Sequence, residues 1–176
     1  MSGPVLVVGA AGRLGASIAQ GFARYPVLGL TRATLDITDP ESVSRAVDRA
    51  APAVIINCAA FNDVDGAEDR PSEALAVNAF AVRSLARAAE QCGAVLVHYS
   101  TDFVFDGNAT EPYAETAAPA PRSTYALSKL LGEWFAAVEA DDHVLPYIEA
   151  RRRRKTRKTR GRARPARRRK TARSRR

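Results

Sequence analysis

Tyr125 and Lys129 stand four residues apart in "YALSK", a spacing that puts both side chains on one face of a helix. An ammonium held beside a phenol lowers the phenol's pKa and lets it exchange a proton near neutral pH. Taken alone, Tyr-x-x-x-Lys more often marks a solvated helix face. Two other stretches change the reading. "GAAGRLG" carries Gly9, Gly12 and Gly15 directly after the apolar run "VLVVG" and at the start of a helical pattern. The first glycine suits a tight turn, the second the close approach of a pyrophosphate to backbone N–H groups at a helix N-terminus, and the third tight helix–sheet packing. "STDFVFDG" (100–107) follows another apolar run. Ser100 and Thr101 are of the type that hydrogen-bonds a substrate carbonyl oxygen, and Asp102 of the type that orients or caps. A capped turn that binds nothing is the competing reading of this last stretch.

Chemistry at these positions needs a scaffold that gathers them. The continuous apolar run at 5–9 reads as a strand buried on both faces, and 27–32, 53–60 and 94–101 read as further strands. Helical spacing fills "LGASIAQGFARY", 39–50, 73–93 and 124–140. In the 39–50 segment Asp39 is placed as N-cap and Pro40 in the first turn, with Val43, Ala46 and Val47 on one face. "HVLPYI" opens one more strand, although Pro146 cannot donate to a ladder. This alternation predicts an α/β fold: a Rossmann-type doubly wound parallel sheet with helices on both faces. Ligands of such sheets bind at the carboxyl ends of the strands, where the glycine turn and the Ser100–Thr101 stretch fall. Residues 1–150 are expected to form the nucleotide-binding domain.

Charge divides the chain at the same boundary. The net charge is +8, but residues 151–176 hold 17 of the 27 Lys and Arg and no acidic residue. The remainder is acidic. The basic stretch has no aromatic residue and no aliphatic one larger than alanine, so it is expected to be disordered. Any affinity for nucleic acid or another polyanion is expected to reside there and to lack sequence preference. A regulatory or nucleic-acid-binding protein using that stretch as an electrostatic arm is the rival functional class, disfavoured by the lack of interleaved aromatics and of a recognition fold. Cys58 and Cys92 make no disulfide framework, and no Cys/His cluster has metal-ligand spacing. The apolar run after "MSGP" is too short for a signal or membrane segment, so a cytoplasmic protein without a membrane partner is expected.

The glycine spacing matches the extended short-chain dehydrogenase/reductase group. "GAAGRLG", "LDITDPESV", "VIINCAAFNDVDGAED", "AVNAFAVRSLARAA", "VHYSTDFVFDG" and "YALSKLLGE", in this order, resemble the dTDP-4-dehydrorhamnose reductase family over roughly residues 4–135. The resemblance implies nicotinamide-dependent reduction of the C4 ketone of a dTDP-sugar to dTDP-rhamnose. It implies Thr101, Tyr125 and Lys129 as the catalytic set. Tyr125 would protonate the carbonyl oxygen, Thr101 would hold that oxygen, and Lys129 would bind the nicotinamide ribose and depress the tyrosine pKa. It also implies that Gly9, Gly12, Arg13, Leu14 and Gly15 cradle the pyrophosphate, that Asp36 and Ile37 sit by the adenine, and that Cys58, Ala59 and Ala60 line the nucleotide path. No acidic residue ends the second strand. Arg32 stands there, which favours NADPH over NADH, with NADH the alternative. The resemblance ends by Glu149, short of the family's separate substrate-binding region, and impaired turnover is therefore expected.

Overall fold

The computed structural model describes residues 3–139 and the backbone of 144–147. The basic stretch 151–176, and the disorder expected there, lie outside the described residues.

Five parallel strands form one sheet: β1 (Val5–Val8), β2 (Val27–Leu30), β3 (Val54–Asn57), β4 (Val95–Tyr99) and β5 (Val144–Tyr147), in the order β2-β1-β3-β4-β5. The expected doubly wound sheet is therefore present. Its order reverses between β1 and β3, which places a crevice at the carboxyl ends of those two strands. Helices α1 (Arg13–Gly21), α2 (Pro40–Ala50), α3 (Gly66–Asp69), α4 (Pro71–Leu75), α5 (Ala81–Cys92) and α6 (Thr124–Glu139) connect the strands.

The alternation of side chains along each strand sets the two layers. Leu6, Val8, Ile55 and Leu96 point to one face and pack with Val43, Ala46 and Val47 of α2 and Leu85, Ala86 and Ala89 of α5. Val5, Val7 and Ile56 point to the other, where Ile18 of α1 joins them. Helix α2 forms as its sequence directs. Asp39 accepts the Glu41 N–H at 3.0 Å, Pro40 opens the helix, and Val43, Ala46 and Val47 are buried. An Asp cap of this kind stabilises a helix by about 1 kcal/mol.

Two expectations need correction. The strands expected at 53–60 and 94–101 stop at Asn57 and Tyr99. Cys58–Ala60 and Ser100–Thr101 leave the ladder at the carboxyl edge, so they form loops at the crevice rather than sheet. The single helix expected over 73–93 is broken. A π turn at Ala76–Phe80 separates α4 from α5, and Gly93 ends α5 in the left-handed conformation at φ 67°. Wide turns of this type cluster at functional sites. The strand opened by "HVLPYI" is β5, which among the described residues pairs with β4 alone at the end of the sheet, an edge position that tolerates Pro146.

Candidate active site

The glycine turn sits where β1 ends. Gly9 adopts φ 82°, and a Cβ there would lie 2.8 Å from the Ala59 nitrogen, so the turn runs against the loop that leaves β3. A Cβ on Gly15 would lie 2.3 Å from the Gly9 oxygen. Only glycine lets the first turn of α1 press this closely on the β1 turn. Gly12 is the N-cap of α1, makes no side-chain cap, and no acidic residue stands in the first turn. The helix therefore presents its N-terminal N–H groups and the positive end of its dipole to the crevice, as an anion site requires. Arg13 and Leu14 are exposed beside it.

The other candidate nucleotide contacts flank this turn. Arg32 is exposed just past β2. Asp36 accepts the Thr38 hydroxyl at 2.6 Å and the Thr38 N–H at 2.9 Å. These bonds, with a smaller contribution from Arg32, hold its carboxyl below the usual range. Ile37 packs against the α2–α5 core. Cys58, Ala59 and Ala60 are half-buried in the loop after β3. Burial pushes the Cys58 thiol up to about 11, so it is a poor nucleophile at neutral pH.

The catalytic candidates gather at the ends of β4 and α6. Tyr125 is 9% exposed, and the Thr101 side chain stands near its phenol. Phe103 meets its ring edge-on with centroids 6.2 Å apart. Burial pushes the Tyr125 pKa up, the neighbouring Thr101 hydroxyl opposes this, and Asp102 adds to the rise. The depression of the phenol pKa expected from Lys129 is not seen in this arrangement. Lys129 Nζ donates instead to the Tyr99 carbonyl at 2.6 Å, and lies 3.4 Å from His98 Nε2. Burial lowers the Lys129 pKa to about 8, while Glu133 one turn further along α6 opposes the fall. Glu133 accepts the Ser100 hydroxyl, and burial raises its own pKa.

Sequence reasoning missed the polar groups beneath these residues. Asn57, Asn78, His98 and Ser128 are all at most 2% exposed. Asn78, in the π turn, accepts the Phe61 N–H at 2.8 Å and donates to the Phe61 carbonyl at 3.1 Å and to Ser128 Oγ at 2.9 Å. Ser128 in turn donates to the Tyr125 carbonyl at 2.7 Å. One amide thus fastens the loop after β3 to the helix that carries Tyr125 and Lys129. The signal available in the sequence was a polar residue inside an otherwise apolar run, as in "VIIN", "AVNAF" and "VLVH".

A doubly wound sheet with a glycine turn at its switch point, and a buried Tyr–Lys pair across the crevice, defines a Rossmann-type α/β protein. The chain belongs to the RmlD substrate binding domain family, whose sequence model matches residues 3–146. It is 42% identical over 139 residues to a dTDP-4-dehydrorhamnose reductase of Burkholderia thailandensis, covering 78% of this chain and 47% of that protein. To the enzyme of the same name from Mycobacterium tuberculosis it is 44% identical over 135 residues, covering 73% of this chain and 44% of the relative. Among solved structures, a dTDP-4-dehydrorhamnose reductase from Bacillus anthracis in complex with NADP superposes with a TM-score of 0.80 at 35% identity, covering 84% of this chain and 53% of that one. The chain thus spans about half the length of the relatives it matches. Among the described residues no helix is long and apolar enough to cross a membrane.

Proposed function

We propose that this chain carries the cofactor-binding and catalytic residues of an NADPH-dependent reductase that converts the C4 ketone of dTDP-4-dehydrorhamnose to the alcohol of dTDP-rhamnose. The observation that carries the reading is the gathering of Thr101, the buried Tyr125 and the buried Lys129 one turn further along the same helix, at the strand ends that also present the glycine turn. The likeness to reductases over residues 3–146 supports it.

The residues present fit a dinucleotide. Gly9, Gly12 and Gly15 leave room for a pyrophosphate at an α1 N-terminus free of side-chain caps and acidic neighbours. Backbone N–H groups of Arg13 and Leu14 would share that role. Arg32 would meet a 2′-phosphate, which favours NADPH over NADH. Asp36 and Ile37 would border the adenine, and Cys58, Ala59 and Ala60 the path to the nicotinamide. When bound, the nicotinamide supplies the hydride. Tyr125 gives its phenolic proton to the carbonyl oxygen, and Thr101 fixes that oxygen by hydrogen bonding. A phenol whose pKa is raised by burial is fully protonated at neutral pH, the form a proton donor needs. Lys129 orients the ribose hydroxyls. The acidic 1–150 region is the nucleotide-binding domain, and the 151–176 stretch is a separate basic appendage that binds polyanions without sequence preference.

The test is NADPH oxidation followed on a dTDP-4-keto-6-deoxysugar. Tyr125→Phe is expected to abolish whatever turnover the wild-type chain shows while leaving NADPH affinity within a fewfold. A Phe variant as active as wild type removes Tyr125 from its role.

A further inference from the structure

Helix α6 carries Tyr125 in its first turn, and its own sequence leaves the start of that turn incompletely held. Ser123 Oγ accepts the Ala126 N–H at 3.1 Å, and the Ser123 carbonyl accepts the Leu127 N–H at 2.9 Å. No acidic residue stands in the first turn. The Thr124 N–H lies ahead of these bonds, and a carboxylate from another element takes it. Glu68 of α3, 56 residues earlier, accepts the Thr124 N–H at 2.7 Å on one oxygen and the Thr124 hydroxyl at 2.6 Å on the other. Its negative charge complements the positive end of the α6 dipole, and the bonds from the Thr124 hydroxyl and N–H hold the Glu68 carboxyl below its usual range. The neighbouring residues meet as well. Ala67 is fully buried in one apolar cluster with Ala74 and Tyr125, against which Phe61 and Val64 pack. Helix α3 is braced in turn. Asp63 accepts the Gly66 N–H at 3.0 Å and the Arg70 guanidinium at 2.9 Å, and that guanidinium lies 4.8 Å from the centre of the Phe61 ring.

We infer that Glu68 is a positioning residue for Tyr125: two consecutive residues of α3, Ala67 and Glu68, grip two consecutive residues of α6, Tyr125 and Thr124, and fix where the phenol sits relative to the loop that leaves β3. The apolar half of the grip does not suffice by itself. Packing of a methyl against a ring is not directional, so it leaves α6 free to slide or turn about its axis. Two hydrogen bonds to the two oxygens of one carboxylate set both a distance and an angle. Thr124 matches that acceptor pair, because it offers a hydroxyl donor beside its own N–H. Glu68 is exposed, so it fills no space in the core and acts through these bonds. The loop after β3 lines the proposed path to the nicotinamide, so the same contact ties that loop to the proton donor. That meaning rests on the proposed reductase reading, while the grip itself rests on the hydrogen bonds and the packing.

Nuclear magnetic resonance on the 176-residue chain, with tyrosine rings and alanine methyls labelled, tests it at neutral pH. The chain has five tyrosines, and Tyr125→Phe assigns the Tyr125 ring. In the wild type the Thr124 amide is expected to resist hydrogen exchange, and the Tyr125 ring to show a cross-peak to the Ala67 methyl. Glu68→Ala removes an exposed side chain and leaves no cavity, so the fold is expected to survive by circular dichroism. In it the Thr124 amide is expected to exchange about tenfold faster. The Tyr125 ring signals are expected to shift and the Ala67 cross-peak to weaken. Glu68→Gln is expected to restore all three, because its amide oxygen accepts the N–H and its amino group donates to the hydroxyl. Asp39→Ala removes the corresponding cap of α2 and controls for general loosening; it is expected to leave the Thr124 and Tyr125 signals unchanged. Faster Thr124 exchange with an unmoved Tyr125 ring in Glu68→Ala would overturn the positioning role. So would a Gln variant no better than Ala, or an equal response to Asp39→Ala. None of these readouts uses cofactor or substrate. The grip therefore stands on them even if Tyr125→Phe keeps full turnover and the reductase reading falls.

Discussion

Gly132 offers a perturbation whose sign opposes the usual rule. Replacing glycine by alanine inside a helix ordinarily stabilises by about 1 kcal/mol. Gly132 lies in α6 where that helix crosses the π turn. A Cβ there would stand 2.2 Å from the Asn78 carbonyl oxygen, 3.3 Å from its carbon and 3.5 Å from His98 Nε2. The oxygen belongs to the main chain and cannot rotate away. Relief requires α6 and the π turn to part by roughly 1 Å to restore van der Waals separation. Because the clash is with main chain at so short a distance, the overpacking cost falls in the upper part of the usual range, about 2–3 kcal/mol. Set against the helix gain, Gly132→Ala is expected to destabilise by about 1–2 kcal/mol, lowering the melting temperature by roughly 2–8 °C for a domain of this size. Urea titration followed by far-ultraviolet circular dichroism, with the slope unchanged between variants, measures it. An alanine variant as stable as wild type, or more stable, would refute the close crossing of α6 on the π turn and with it the clamp made by Asn78.

Three further outcomes follow from named groups. His98 has its folded pKa lowered to about 3 from 6.5, so the unfolded chain binds the proton first as pH falls. The stability it contributes is complete above pH 6.5 and declines below it, with a limiting slope of about 1.4 kcal/mol per pH unit. Urea midpoints that stay level between pH 6.5 and 5 would contradict a buried neutral His98. Cys58, half-buried with its thiol pushed up to about 11, is expected to alkylate far more slowly at pH 7.5 than the exposed Cys92. Mass spectrometry of partly modified protein reads the order, and faster labelling of Cys58 would place the loop after β3 elsewhere. Removing residues 151–176 is expected to abolish polyanion binding and leave NADPH affinity unchanged. In band-shift titrations the intact chain's affinity should fall steeply with salt, by about 0.9 log unit per log unit of salt for each phosphate contacted. Sequence-selective binding that persists at high salt would give that stretch a specific partner.

What the sequence made legible were features whose physics is local. The glycine spacing in "GAAGRLG" and the Asp39–Pro40 cap act within a turn or two, and the structure has them as expected. Tyr125 and Lys129 fall on one helix for the same reason, both buried. The break at Ala76–Phe80 was not legible, because nothing in "AVNAF" disfavours an α-helix. It accompanies tertiary contacts: Asn78 reaching Phe61 and Ser128, and Gly132 admitting α6 against its carbonyl. Strand ends were overextended because an apolar run does not reveal where its partner strand stops. The ladder ends at Asn57 opposite His98, and the residues past it line the crevice. His98 and Asn57 escaped notice because a polar residue in a strand pattern reads as a solvent-facing position, and only the packed structure sets them against Lys129.

NADPH is expected in the crevice between the β1 turn and α6, and titration calorimetry on the folded 176-residue chain measures its binding. The expected result is a saturable one-site heat with NADPH, weaker with NADH, and greatly weakened in Gly12→Val, whose side chain would enter the space left for the pyrophosphate at the α1 N-terminus. Absence of heat with both cofactors on a sample whose circular dichroism shows the α/β fold, or equal affinity in Gly12→Val, would contradict it.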